Sequence, residues 1–339
     1  MLIHGRYNVI KELTPGGFGR VFLVEDVHIH TMFVAKCVND GHIAELEFRN
    51  LRELSHPGLP RLHDVIRDGK NVCIIMEYIK GRTLDVYLNE SFGLSKKEVI
   101  RIGTKLLDIL GYMHTRSIPM VYGDLKPQNI IIKENGDVAL IDLGGIRYMC
   151  DMTREIYATC GYAAPEQLKG EFCIQSDIYA FGKIMQYLLT GYDPFFTDTM
   201  MTEDIMKRYG VQSGIAEIVI RCCKSESEKR YTDALQVKKD MERFGSELQK
   251  DKITGFFPAL YCCIGVFFAI LAVFSFLSDM GILFPFFVLL FLVSFSTGLL
   301  FREAEKNENR HILMCEYSIC LSDFDACISD ENIIKNKKS

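Results

Sequence analysis

LTPGGFGRVFLV, residues Leu13–Val24, sets Gly16, Gly17 and Gly19 within four residues between two runs of strand formers. Glycine inside a strand region marks either a sharp turn or a place where something must approach the backbone closely. Two readings follow: a hairpin turn that needs positive φ, or a flap whose amides close over phosphate. The segment alone favours the hairpin; what surrounds it decides the matter.

Working outward, the region from Met1 to Glu90 alternates apolar and polar residues in VFLVED, TMFVAKCV and NVCIIMEYI, as half-buried strands do. One helical segment, GHIAELEFRNLRELSHPG, interrupts them. From Leu94 onward helical spacing dominates. Ser95 followed by Glu98 is a capping-box start for KKEVIRIGTKLLDILGYMH, and Ser176 is the expected cap of DIYAFGKIMQYLLT, which stops at Gly191. The expectation is a small sheet lobe followed by a larger helical one.

Charge excludes little except nucleic acid: 39 Lys+Arg against 44 Asp+Glu give a net −5, with no global positive field. Twelve cysteines show no CxxC spacing and no paired framework, and the N-terminal MLIHGRYNVI lacks a signal-peptide core. The thiols therefore read as reduced, cytosolic and structural, the adjacent pairs Cys222-Cys223 and Cys262-Cys263 included.

The sharpest compositional change comes late. Between Ile253 and Phe301 the only charged residue is Asp279, and the sequence divides around SDMG into two stretches apolar on every side. Each is long enough to cross a hydrocarbon core of roughly 30 Å at 1.5 Å per residue. The expected organisation is a soluble domain at 1–250, transmembrane helices at 253–277 and 282–301, and a tail at 302–339. Lys238, Lys239, Arg243, Lys250 and Lys252 precede the first span and Arg302, Lys306 and Arg310 follow the second, while the loop has no basic residue. Both ends are thus expected on the cytoplasmic side of the cell membrane.

After the glycine stretch comes FVAK, ending in Lys36 on a strand with apolar neighbours Val34, Ala35 and Val38; Glu47 follows on a helix, and HP begins at His56. Farther on stand VYGDLKPQNI, ALIDLGG, GYAAPE, SDIYAFG and EKRY. Asp124 and Lys126 lie two apart, which in extended backbone returns both side chains to one face. Asp142 ends a buried-looking strand, where a carboxylate needs a compensating partner. Taken singly these are ordinary loops and turns. In this order and spacing, the set resembles a eukaryotic-type (Hanks-type) serine/threonine protein kinase, bacterial members among them, over roughly the first 250 residues.

That resemblance implies an α+β bilobal kinase fold, with an N-lobe at 1–80 and a C-lobe at 81–250. It implies ATP and Mg2+, with Mn2+ as an alternative, and protein substrates bearing Ser or Thr. By the same resemblance Asp124 is the catalytic base, Lys126 neutralises the transferred phosphate, and Lys36 contacts the α/β-phosphates while paired to Glu47. Asn129 and Asp142 hold metal. Thr14, Gly16, Gly17, Phe18 and Gly19 form the phosphate loop, Val21 and Val34 line the adenine site, Met76 is the gatekeeper, and Glu77 and Ile79 supply hinge backbone. Thr159 fixes the substrate loop, Glu166 and Arg230 form a buried pair, and Asp177 anchors the catalytic loop. The lipid bilayer and neighbouring copies, phosphorylating one another, complete the expected partners.

Two departures stand out. Thr14-Pro15 replaces the first loop glycine and stiffens the entrance. Tyr122-Gly123 stands before Asp124 where the family has His-Arg, so the arginine that pairs with an activation-loop phosphate is missing. The competing reading is a pseudokinase scaffold; a small-molecule kinase is disfavoured by GYAAPE.

Overall fold

A computed structural model describes residues 2–16, 19–38, 41–68, 71–91, 93–149, 159–196 and 201–246, with six scattered positions between 264 and 288. The strand-forming N-terminal third folds as β1 (Leu2–Ile3), β2 (Tyr7–Gly16), β3 (Gly19–Asp26), β4 (Thr31–Val38), then helix α1 (Gly41–Glu53), β5 (Leu62–Asp68) and β6 (Asn71–Glu77). These strands form one antiparallel sheet in the order β1-β2-β3-β4-β6-β5. Register pairs Val21 with Lys36, Leu23 with Val34, Val34 with Met76 and Lys36 with Ile74. Alternation then puts Phe22, Val24, Phe33 and Ala35 on the opposite face, where with Tyr7, Ile66 and Ile75 they form a buried cluster.

Helix α1 is amphipathic in an unusual way. Its buried face carries Glu47, Asn50 and Leu51, and Leu54 continues it, at helical i, i+3, i+4, i+7 spacing. Two polar groups on an inward face require partners, and the active-site region supplies them.

After Glu77 the chain runs through β7 (Gly81–Thr83), α2 (Leu84–Glu90), α3 (Lys96–His114), β8 (Met120–Val121), β9 (Ile130–Lys133), β10 (Val138–Leu140) and β11 (Arg147–Tyr148). Helices α4 (Ile174–Thr190), α5 (Thr202–Arg208), α6 (Ser213–Cys222) and α7 (residues 234–246) follow. Ser95 accepts a hydrogen bond from the Glu98 N–H, as its capping-box pattern requires, and α4 ends at Gly191 with φ of 69°. Ser176 differs from expectation. Cys173 is the N-cap of α4, and Ser176, in the first turn, accepts from the Cys173 N–H instead, because the helix begins earlier than its apolar period indicates. Helices α3 and α4 bury Ile102, Leu106, Leu110, Ile178, Phe181 and Ile184 in the lower core.

The expectation that every thiol is reduced also needs correction. Cys37 and Cys73 face each other across β4 and β6, with Cα atoms 4.0 Å apart and their sulfurs bonded. Register across strands, not spacing along the chain, brought them together. Cys160, Cys173, Cys222 and Cys223 are free thiols.

The chain divides into two compact units: Met1–Met206 with Val211–Arg243, and Lys207–Gly210 with Phe244–Ser339. Both lobes belong to the first. Among the described residues no helix is long and apolar enough to cross a membrane. The expected spans at 253–277 and 282–301, apart from the six scattered positions, and the tail at 302–339 lie outside the described residues.

Candidate active site

Burying the Glu47 carboxylate at 1% exposure is costly unless a cation meets it. Lys36 does so, with Nζ 2.8 Å from Glu47 Oε2 and 2.7 Å from Asp142 Oδ1. Burial alone would lower the Lys36 pKa, but the two carboxylates outweigh it and hold the ammonium charged well above its ordinary range. Burial pushes Glu47 up while Lys36 pulls it back. For Asp142, burial is overcome by Lys36 and the net shift is downward. One cation thus stands between two carboxylates. The partner that Asp142 needs at its strand end is first of all Lys36, before any metal.

Asp142 adopts a left-handed conformation, φ 64°, and opens the turn at Leu143–Gly145. Asn50, three residues after Glu47 on the same face of α1, donates from its amide to Leu143 O at 3.1 Å, so α1 holds both the lysine and the turn behind Asp142. Tyr122 supports the turn from below: its phenol, fully buried, donates to the Ile141 carbonyl just before Asp142. Burial, then Asp142 and Asp124, push that phenol's pKa far up, so it remains a neutral donor. The substituted Tyr122 is therefore a support for the DLG turn.

The second group of residues surrounds Asp124. Thr159 donates to its Oδ1 at 2.7 Å; Lys126 Nζ reaches Oδ2 at 2.7 Å and the Asn129 amide nitrogen reaches Oδ2 at 3.0 Å. Lys126 also contacts Thr159 Oγ1 at 3.3 Å. Thr159, expected to fix the substrate loop, hydrogen-bonds the carboxylate of Asp124. Beneath them Asp177, 1% exposed, accepts from the backbone N–H groups of Tyr122 at 2.7 Å and Gly123 at 2.9 Å, and pairs with buried His114 at 3.0 Å. Gln167 adds a hydrogen bond to Gly123 O at 2.8 Å. His114 and Gln167 escaped the sequence reading; nothing local marks them, since their partners lie 63 and 44 residues away.

Gly145 joins the two groups. A Cβ there would sit 3.0 Å from Tyr122 O and 3.1 Å from Asp124 Cβ. Gly123, at φ 79°, would in turn place a Cβ 2.7 Å from Gly145 O. The two glycines let the 122–124 backbone and the 142–145 turn touch. Ile141 N–H donates to Asn129 O at 2.9 Å, setting Asn129 beside Asp142.

Other expected site residues fall as follows. Val21, Val34 and Met76 share a sheet face with Lys36 by register. Thr14 and Gly16 end β2, paired with Val21 and Gly19; Gly17 and Phe18 lie outside the described residues. Glu77 N–H is committed to Arg61 O at 2.9 Å, and Ile79 follows the strand. Glu166 and Arg230 form a two-pronged pair at 2.6 and 2.9 Å, with the Arg230 side chain fully buried.

No group of three or more acidic, His or Cys side chains able to hold a metal occurs among the described residues. The oxygen donors fit Mg2+ in a different way, because that ion keeps waters and binds through one or two protein oxygens plus substrate phosphates. Asp142 offers a carboxylate 44% exposed, and the Asn129 amide nitrogen, engaged with Asp124, leaves its carbonyl oxygen.

With this geometry in hand, comparison with known proteins identifies the class. The Protein kinase domain family matches residues 7–242, and the chain belongs to that family. Its relatives include "Probable serine/threonine-protein kinase PknB" of Lactococcus lactis, 31% identical over 70% of this chain and 41% of that protein. Serine/threonine-protein kinase PknL of Mycobacterium tuberculosis is 28% identical over 73% of this chain and 67% of its own length. Serine/threonine-protein kinase PrkC of Bacillus subtilis is 25% identical over 71% of this chain and 40% of its own. The chain therefore spans less than half the length of two of these bacterial kinases.

Proposed function

We propose that this chain is a membrane-anchored serine/threonine protein kinase that moves the γ-phosphate of ATP to protein hydroxyls. The observation carrying this reading is the contact, through Gly145, between the Lys36–Glu47–Asp142 group and the Asp124–Lys126–Asn129–Thr159 group. Phosphoryl transfer asks mainly for positioning and for stabilisation of negative charge. Asp124 accepts the proton of the substrate hydroxyl and orients its oxygen, Lys126 offers positive charge to the transferred group, and Lys36 to the α/β-phosphates. Asp142 and Asn129 would hold Mg2+, which when bound neutralises charge shared by the β- and γ-oxygens. Glu47 fixes the lysine.

Two apolar stretches flanked by basic residues support the anchoring, with domain and tail on the cytoplasmic side. Confinement to a surface raises the effective concentration of neighbouring copies and favours phosphorylation between them. Gly123 removes the usual phosphate-pairing arginine, so activity is expected without prior modification of Thr153, which lies outside the described residues. The deciding measurement is labelled phosphate incorporation from Mg-ATP by wild type and Asp124→Ala. Removal of the general base should cost about 10²- to 10⁴-fold. Equal incorporation, or none in either, would leave a pseudokinase scaffold as the correct reading.

A further inference from the structure

Among the described residues Cys37–Cys73 is the only bonded cysteine pair, and its position is not neutral with respect to the nucleotide site. Cys37 follows Lys36 in β4, so its side chain stands on the opposite face of the strand, in the partly buried fringe of the outer cluster. Its backbone faces the glycine turn: a Cβ on Gly19 would meet the Cys37 carbonyl oxygen at 2.9 Å. Cys73 lies on β6, the strand that ends at Glu77. One bond therefore ties the strand carrying Lys36, at the point where Gly19 rests on it, to the strand that ends at Glu77.

The bond is laid across an existing backbone ladder: β4 and β6 pair in register on both sides of it, from Phe33↔Glu77 to Val38↔Val72. Both cysteines are only partly buried, at the fringe of the outer cluster. In reducing compartments protein disulfides are rare and, where present, mostly transient or redox-sensing. A partly buried bond added to a paired ladder and attached to the site residues has the properties of a switch rather than a staple.

We propose that Cys37–Cys73 is a reversible redox site whose state sets the nucleotide affinity of the Lys36 cleft; the affinity clause rests on the kinase reading above. Reduction takes a dithiol: one thiolate attacks a protein sulfur, the Sγ–Sγ bond breaks, and the other sulfur leaves and is protonated. The second thiol of the reductant then resolves the mixed disulfide, so the protein gains two electrons and two protons while the reductant becomes a disulfide. Reoxidation takes a peroxide: one thiolate becomes a sulfenic acid as the peroxide O–O bond is cleaved, and the other thiol displaces water from it to restore the bond. Oxidised, the pair locks Lys36 and Gly19 to β6. Reduced, the cross-link is gone while the backbone ladder stays, Lys36 and Gly19 are less tightly fixed, and phosphate contacts weaken.

The test uses the full chain reconstituted in lipid, after peroxide or dithiothreitol. Peptide mass mapping without reductant should recover Cys37 linked to Cys73 in the first sample and not in the second. Binding of Mg-ATP, followed by titration, should weaken about fivefold or more on reduction, a typical coupling between sites. Cys37→Ser and Cys73→Ser should both bind as the reduced wild type does and ignore either reagent. Failure to recover the linked peptide overturns the proposal, as does cleavage of the bond with unchanged Mg-ATP affinity. If neither state binds Mg-ATP, the kinase reading falls and the affinity clause with it; binding that is intact but indifferent to redox state sinks this proposal alone.

Discussion

Lys36 in the upper lobe and Asp177 in the lower lobe each anchor a site, but by different forces. Lys36 is held by two carboxylates, one buried and one, Asp142, 44% exposed, so its position depends on the local balance of charge. Asp177 is 1% exposed and accepts two backbone N–H groups, an arrangement that charge or ligand outside the lobe barely reaches. Cross-strand register sets the upper group; hydrogen bonds from a catalytic loop onto α4 set the lower. The Lys36 group is therefore the one open to changes of charge around it, and the supports built on Asp177 are a base that fails by unfolding.

The largest effect that can break this contrast belongs to Arg230. Its guanidinium reaches Glu166 and the carbonyls of Lys224, Gln175 and Ser225 with no exposed surface. Removing one partner of such a buried pair costs about 3–5 kcal/mol. Arg230→Ala should therefore lose that much stability in denaturant titration, with low yield of soluble protein. Normal expression and unfolding midpoint with selective loss of ATP turnover would mean that the Glu166–Arg230 pair acts on the chemistry rather than on the fold.

Gly123→Ala comes next and tests the seam between the loops. At φ 79° an added Cβ is strained and would lie 2.7 Å from Gly145 O, a backbone atom with little room to move. The substitution should cost about 1–3 kcal/mol and lower turnover more than it weakens Mg-ATP binding, because the displaced atoms lie between Asp124 and Asp142. An unchanged rate would show that the two loops do not depend on that contact. Tyr122→Phe is milder: it leaves the Ile141 carbonyl without its phenol donor, an effect of about 1 kcal/mol. A fall in kcat with little change in KM for ATP is expected, and rescue by Tyr122→His would show that the donor rather than the ring matters.

How much of this was legible follows the same division. Lys36, Glu47, Asp124, Asn129 and Asp142 are legible because each sits in a short local pattern whose order along the chain carries the information. The helices α1 and α3 are legible because apolar period and a cap coincide. Asn50 was within reach, being one turn from Glu47 on the same face, yet its partners are carbonyls of a turn 93 residues on. Cys37–Cys73 was hidden because the pairing of β4 with β6 is a property of sheet register, and the two cysteines are 36 residues apart in the chain. Ser176 misled because the same hydroxyl serves equally at N-cap or at the third helical position; only the observed start of α4 distinguishes them.

The smallest expected effect is in acid. Burial would raise the Glu166 pKa, but hydrogen bonds from Arg230 and Ser176 outweigh it and hold the carboxyl below its ordinary value. A carboxyl whose folded pKa is depressed contributes stability that is complete above its unfolded pKa, about 4.3. That contribution is lost as pH falls through the folded value, when the neutral acid no longer pairs with the guanidinium. Unfolding midpoints measured from pH 6 down to pH 3 should therefore fall in wild type, with Glu166 contributing its part below about pH 4.3. Glu166→Gln is less stable at pH 6 but should lose less on acidification, since it has no proton to gain. Parallel curves would assign the acid sensitivity elsewhere, to the exposed carboxylate of Asp142 before any other, and leave Asp177 as the lower-lobe carboxylate held apart from solvent.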